Sequence, residues 1–327
     1  MTASTSATPA ASSRLRRVAA LLRDFLPYVG LVLVVVYFAH ASEFFLNTRN
    51  FERLVTDSAT LMLVAFGMTM VILLGEIDLS VGAVVALLSV ILAQLMAAGV
   101  GWPLAVVLVL LIGMGIGGLN GVITVIGDIP SFITTLGMMA IATGLAFVFT
   151  GSVSVAIMND RFLDLFYDDR ILGLPVPLWI VAGAYLACVL YLNRTVAGYE
   201  LFALGANPAA AALSGVPVKR RKIMVFVIMG ALVAIAACLS AARLGSGAPG
   251  SVPALTLDAI AAVIIGGASL FGGRAFVGRT LMGAALIAVL NNGMVLLNVN
   301  IDAQYIIKGL IILLAVVLER VAAGGGR

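Results

Sequence analysis

Ionisable side chains are scarce in this chain, so the few that interrupt its apolar runs carry the chemical information. Asp78 stands in the run Gly75-Glu76-Ile77-Asp78-Leu79-Ser80-Val81-Gly82, Asp258 stands near the start of Leu257–Gly267, and Lys308 lies inside a third apolar stretch. Asn120, Thr134, Thr135, Asn291 and Asn292 add neutral polar groups to otherwise apolar surroundings. Such groups are costly unless paired, and an ionisable residue at membrane depth is a functional candidate by default. Two uses compete for each. Asp78 and Asp258 suit helix N-terminal caps, where a carboxylate meets free N–H groups and the positive end of the helix dipole. Lys308 suits a pairing with a carboxylate or carbonyl of a neighbouring helix. The neutral groups either bond neighbouring helices or line a polar conduit, and the residues expected along a solute path are Asn120, Phe132, Thr135, Asn291 and Asn292. Catalysis is not indicated. One histidine, His40, and two cysteines inside apolar runs, Cys188 and Cys238, supply neither a nucleophile–base set nor metal-ligand spacing. No phosphate-binding G-x-x-x-x-G-K-[ST] loop occurs. No catalytic residue, metal or cofactor is therefore expected in the chain itself, and nothing suggests a nucleic-acid partner.

The elements that must position these residues follow from composition. Of 327 residues, 62% are hydrophobic and only 10% charged, and the mean hydropathy is +1.18. A soluble domain carries about 25% charged residues, so lipid has to serve as the second solvent. The apolar runs are long and do not alternate, which makes them helices, each needing about 20 residues to cross. The expected fold is an all-α polytopic membrane protein with about ten transmembrane segments, at 25–42, 54–75, 79–98, 103–126, 131–150, 176–193, 220–243, 256–271, 277–297 and 303–320. The third and eighth are short or glycine-interrupted.

Basic residues set the orientation. With both termini cytoplasmic, thirteen of the 19 Lys and Arg residues face the cytoplasm, among them Arg14–Arg23 and Lys219–Lys222, and five face outward, with Lys308 inside the last segment. Residues 1–24 read as a disordered basic cytoplasmic tail, the lesser reading being a cleaved signal ending near Ala39-His40-Ala41. Residues 25–320 form the transmembrane domain and 321–327 a second cytoplasmic tail. The outer loop 151–175 carries Asp160, Asp164, Asp168 and Asp169; it is either a solvated acidic loop or part of a docking surface for a periplasmic partner. Within the inner loop 194–219, Asn207 suits an N-cap, Pro208 a first turn and Gly215 a helix stop, which predicts a short helix over 208–214.

An internal repeat links the polar positions. Asp78, Ser80 and Gly82 precede a small-residue helix ending near Asn120-Gly121; Asp258, Gly266 and Gly267 precede another ending near Asn292-Gly293. The two units point opposite ways, so segments 2–5 and 7–10 are expected to form an inverted repeat.

Six stretches in order resemble permeases of the ribose/xylose type of bacterial ABC importer. They are Gly75–Gly82, Asn120-Gly121, Ile129–Met138, Ala203–Asn207 with Leu213–Val216, Leu257–Gly273, and Asn291–Gly293 with Lys308-Gly309, within residues 50–318. The resemblance implies a permease subunit in the bacterial inner membrane, paired with a second permease copy as a homodimer or related heterodimer. It also implies cytoplasmic ATPase subunits that bind ATP and Mg, and a periplasmic sugar-binding protein. It assigns coupling to the ATPase to Gly205, Asn207, Pro208, Ala209, Ala210, Ala211, Leu213, Ser214 and Gly215. Members usually carry glutamates in this helix, where Pro208 and alanines stand here, and Arg at the positions of Thr143 and Tyr199; contact by shape and apolar surface is expected instead. The alternatives are an ABC permease for another small polar solute, such as a polyol, nucleoside or branched-chain amino acid, and an ion-coupled secondary transporter, for which the spans offer few coupling carboxylates.

Overall fold

The structure, a computed structural model, describes residue 25 and residues 27–324. The N-terminal tail expected at 1–24 lies outside the described residues. Helices dominate: α1 (Pro27–Ala41), α2 (Thr48–Leu73), α3 (Val81–Ala97), α4 (Trp102–Ile126) and α5 (Ser131–Thr150) lead to an irregular segment holding α6 (Asp160–Leu163). Then come α7 (Val176–Arg194), α8 (Val196–Ala206), α9 (Pro208–Leu213), α10 (Val218–Leu244), α11 (Leu255–Ile265), α12 (Val277–Leu296) and α13 (Ile301–Gly324). Four two-residue strands make two antiparallel pairs: β1 (Val155–Ala156) with β4 (Ser246–Gly247), and β2 (Arg170–Ile171) with β3 (Leu174–Pro175).

Among the described residues, six helices are long and apolar enough to cross a membrane: α2, α4, α5, α7, α10 and α12. Four further apolar helices are shorter: α1, α3, α8 and α11. The expectation of a full eighth segment at 256–271 is corrected. α11 has 11 residues, about 16 Å of rise, half the hydrocarbon thickness. It stops because Gly267 adopts φ +82° and the chain then turns again at Gly272 and Gly273, both at positive φ. The third segment is likewise a 17-residue helix that begins at Val81 rather than 79. The last helix runs to Gly324, through the first part of the stretch expected to be a tail.

The helices α2, α3 and α10 make the centre. α10 packs against α2, α3 and α4, and 78% of the most apolar stretch of α2 is buried, against 28% in α4, α5 and α7. The outer helices thus turn most of their apolar surface away from the body, as lipid-facing helices do. α10 and α4 approach backbone to backbone. A Cβ on Gly117 would lie 2.1 Å from the Phe226 carbonyl oxygen, and one on Gly230 2.1 Å from that of Gly113. Small residues allow this approach in membranes, where apolar burial against lipid gives no drive.

Residues 151–175 are held down on the body. Asn159 caps α6 by accepting from the Phe162 N–H at 3.0 Å, and Phe162 is fully buried between Phe166, itself against Trp102, and the α10 side of the core. Arg170 makes two hydrogen bonds to Glu52, at 2.8 and 2.7 Å; these hold its guanidinium above its ordinary value.

Candidate functional site

Two polar clusters and one exposed helix hold the residues singled out above. The first cluster surrounds residues 74–80, which leave helical geometry between α2 and α3 with Leu74, Asp78 and Ser80 buried and Gly75 alone of the seven exposed. Buried backbone without helix or sheet partners must be satisfied by side chains. Ser131 Oγ accepts the Ile77 N–H and Thr135 Oγ1 the Leu79 N–H, both at 3.0 Å. Asp78 Oδ1 accepts the Ser80 N–H at 2.9 Å and the Ser80 hydroxyl at 2.6 Å, and Asn120 Nδ2 donates to Ser80 Oγ at 3.1 Å. Asp78 therefore fastens a turn before α3. It does not bond the N–H groups inside that helix, as the capping expectation had it. A Cβ on Gly82 would lie 2.9 Å from Thr256 Oγ1, which also accepts the Gly82 N–H at 3.1 Å, so the starts of the two short helices α3 and α11 meet. Asn120 and Thr135 thus brace this turn beside a void of only about 10 Å³ that Asp78, Ser80 and Asn120 line. Phe132 is 52% exposed and lines neither cavity.

The second cluster is a cavity of about 380 Å³ bounded by the first half of α2, the end of α10, residues 251–258, the end of α12 and the start of α13. Asp258, Asn291, Asn292 and Lys308 all line it. Asp258 sits in the first turn of α11, but its side chain leaves the helix. Its Oδ2 accepts from Lys308 Nζ and from Asn291 Nδ2, each at 3.1 Å. The capping expectation for Asp258 is corrected accordingly. Asn292 faces the cavity too, yet its amide is engaged with Asn50 through reciprocal hydrogen bonds of 2.9 and 3.0 Å. A second ion pair lies in the same lining: Arg243 Nη1 stands 3.5 Å from Asp57 Oδ1. Sequence reading passed over Asp57, Arg243 and Ser240. The available signal was that Asp57 and Arg243 carry opposite charges at the same-side ends of segments 2 and 7.

The arrangement repeats. In each half an aspartate at the start of a short helix joins an asparagine near the end of the next one, through Ser80 for Asp78 and Asn120 and directly for Asp258 and Asn291.

The stretch 194–219 contains more helix than expected. α8 begins one residue after α7 ends, because Thr195 Oγ1 accepts the Gly198 N–H at 3.0 Å and caps it at once. α9 occupies Pro208–Leu213 as the sequence suggests, with Asn207 Oδ1 accepting the Ala210 N–H at 3.0 Å and Gly215 at φ +84° closing it. Ala211 is the buried residue of α9, whereas Pro208, Ala209, Ala210 and Ser214 are exposed and Leu213 is 91% exposed. Gly205 does not share that exposed face. A Cβ there would lie 2.0 Å from the Leu73 carbonyl oxygen and 2.7 Å from the Gly273 nitrogen. The Gly273 N–H donates to that same Leu73 oxygen at 2.9 Å. The end of α8, the end of α2 and the turn at 272–273 are therefore locked together, flanked by the ion pairs Glu76–Lys222 and Glu200–Arg221. Gly266 and Gly267 lie at the far end of α11, where a Cβ on Gly266 would come 2.8 Å from the Thr280 nitrogen.

A family model described as branched-chain amino acid transport system / permease component matches residues 50–316. Among curated proteins, the ribose import permease protein RbsC of Bacillus subtilis (strain 168) is 38% identical over 295 residues, covering 90% of this chain and 92% of that protein. The ribose import permease of Escherichia coli (strain K12) is 36% identical over 294 residues, covering 89% and 92%. The L-arabinose ABC transporter permease protein AraH of Azospirillum brasilense is 35% identical over 295 residues, covering 89% and 87%. No solved structure matches.

Proposed function

The chain belongs to the branched-chain amino acid transport system / permease component family, and from that premise we propose that it is the membrane-spanning subunit of an ATP-driven importer of a monosaccharide. The family is broad enough to include amino-acid permeases by its description, and the sugar reading rests on the relatives, whose names specify ribose, arabinose and allose. The carrying observation is that a relative at 38% identity aligns over 90% of this chain and 92% of its own length.

In this reading the chain is a multi-pass protein of the bacterial inner membrane, with its termini and the α8–α9 end in the cytoplasm, where most basic residues lie. The cavity, at the other end of α2, opens toward the periplasm, where a sugar-binding protein delivers solute. The exposed face of α9 docks on a separate ATPase, which holds ATP and Mg. ATP binding favours one arrangement of the complex only through unequal affinity for two conformations, so α9 must move between them. Its clamp at Gly205, Leu73 and Gly273 passes that movement into the body. The inverted repeat of α2–α5 and α10–α13 supplies two halves that rock, and a second copy of the chain completes the pore.

Reconstitution in liposomes with the ATPase and the binding protein tests the function. ATP-dependent uptake is expected for one or more of ribose, xylose, arabinose and allose, and not for leucine. Uptake of leucine without any sugar, or uptake driven by an ion gradient without ATP, would refute the proposal.

A further inference from the structure

We infer that each permease protomer holds its own weak site for an uncharged polyhydroxylated solute, in the cavity around Asp258 and Asn291, and that this site rejects anionic forms of the same sugar. The inference rests on the importer reading and adds a second layer of selectivity to it. Its first support is an imbalance in the lining. Asp258 is 6% exposed; its Oδ2 is occupied twice, while its Oδ1 makes no hydrogen bond among the described residues. Asn291 donates one hydrogen bond from Nδ2 to Asp258, and its Oδ1 is also unpartnered. The hydroxyls of Ser240, 1% exposed, and Ser251 are unpartnered as well. Buried polar atoms left unpaired are costly: Asp258 Oδ1 and Asn291 Oδ1 call for a visitor that donates, and the two serine hydroxyls can donate or accept to match it. Hydroxyl groups donate; carboxylates and phosphates do not.

The second support is electrostatic. Both charged pairs in the lining are internally neutralised, Asp258 by Lys308 and Asp57 by Arg243. No net charge remains in the pairs to hold an anion, and the unpartnered carboxylate oxygen of Asp258 has no hydrogen to offer one. Lys308 on the other oxygen equally weakens the hold on a metal cation. The third support is size. About 380 Å³ exceeds the roughly 30 Å³ of one water many times over and falls within the range of small-ligand pockets. Tyr305, 42% exposed, lines the cavity and offers a ring against which the C–H face of a sugar can pack.

The test uses the full-length permease alone in nanodiscs, without ATPase or binding protein, and reads ligand contact by saturation-transfer NMR and Kd by calorimetry. The probes are ribose, arabinose and allose, against ribose 5-phosphate, ribonate and sodium ion. Neutral sugars are expected to bind, mutually competing, with the two anions at least tenfold weaker. Ser240→Ala and Ser251→Ala should each weaken binding about fivefold, as loss of one hydrogen bond does, with unchanged thermal unfolding marking a folded protein. Equal binding of ribose 5-phosphate overturns the inference, as does sodium binding without sugar binding. Transport that proceeds in the full system while the permease alone binds no sugar also overturns it, and leaves the importer reading intact.

Discussion

Asp258 shows how much one buried carboxylate has to satisfy. Its partners Lys308 and Asn291 come from α13 and α12, so three helices depend on a single side chain. Removing one member of a buried pair leaves a charge without compensation, which costs about 3–5 kcal/mol. Lys308→Met is therefore expected to lower the thermal unfolding midpoint markedly, and Asp258→Leu added to it should recover part of the loss. The measurement is calorimetry or a fluorescence melt of the purified permease; a single variant as stable as the parent contradicts the pairing. That Asp258 and Lys308 matter was legible in the sequence, because charges stand out in apolar runs. That they join each other, fifty positions apart, was not. Asp57 and Arg243 escaped for a different reason: each lies at the end of an apolar run, where a charge passes for an ordinary loop residue. Asn120 and Thr135 were legible as buried polar groups, but their work in bracing the turn at 74–80 depends on which helix lies beside that turn.

At the scale of elements, α9 was the most legible feature, since Asn207, Pro208 and Gly215 each act locally and their conformational preferences need no tertiary context. α8 was invisible because it follows α7 after one residue and because Gly198 and Gly205 within it make the stretch read as loop beside a span. α11 misled in the opposite direction: the apolar pattern continues past Gly266-Gly267, but the backbone there is forced into positive φ against α12. The exposed side of α9 is apolar, with Leu213 at its end. Placing a charge on it should disturb a partner without disturbing the fold. Leu213→Glu is expected to reduce co-purification of the ATPase by about tenfold or more, with membrane insertion and melting temperature unchanged. Full retention of the ATPase argues against α9 as the docking element.

For the whole molecule, orientation is the expectation that most needs a direct readout. The two native cysteines are buried in α7 and α10 and should not react with a membrane-impermeant maleimide. A reporter can therefore be added without removing them. Leu213→Cys is expected to label only in inside-out vesicles, and Leu172→Cys, in the 151–175 segment where Leu172 is 87% exposed, only in intact spheroplasts. The reverse pattern inverts the topology. Connecting the two faces is α2, twenty-six residues long and so about 39 Å end to end. Its last carbonyls are wedged under α8 and its first turns form a wall of the 380 Å³ cavity. A helix held so firmly along its flanks neither stretches nor bends at little cost, so on the proposed importer reading it would serve as a pushrod: a tilt imposed at its base by an ATPase would arrive at the mouth of the cavity without slack.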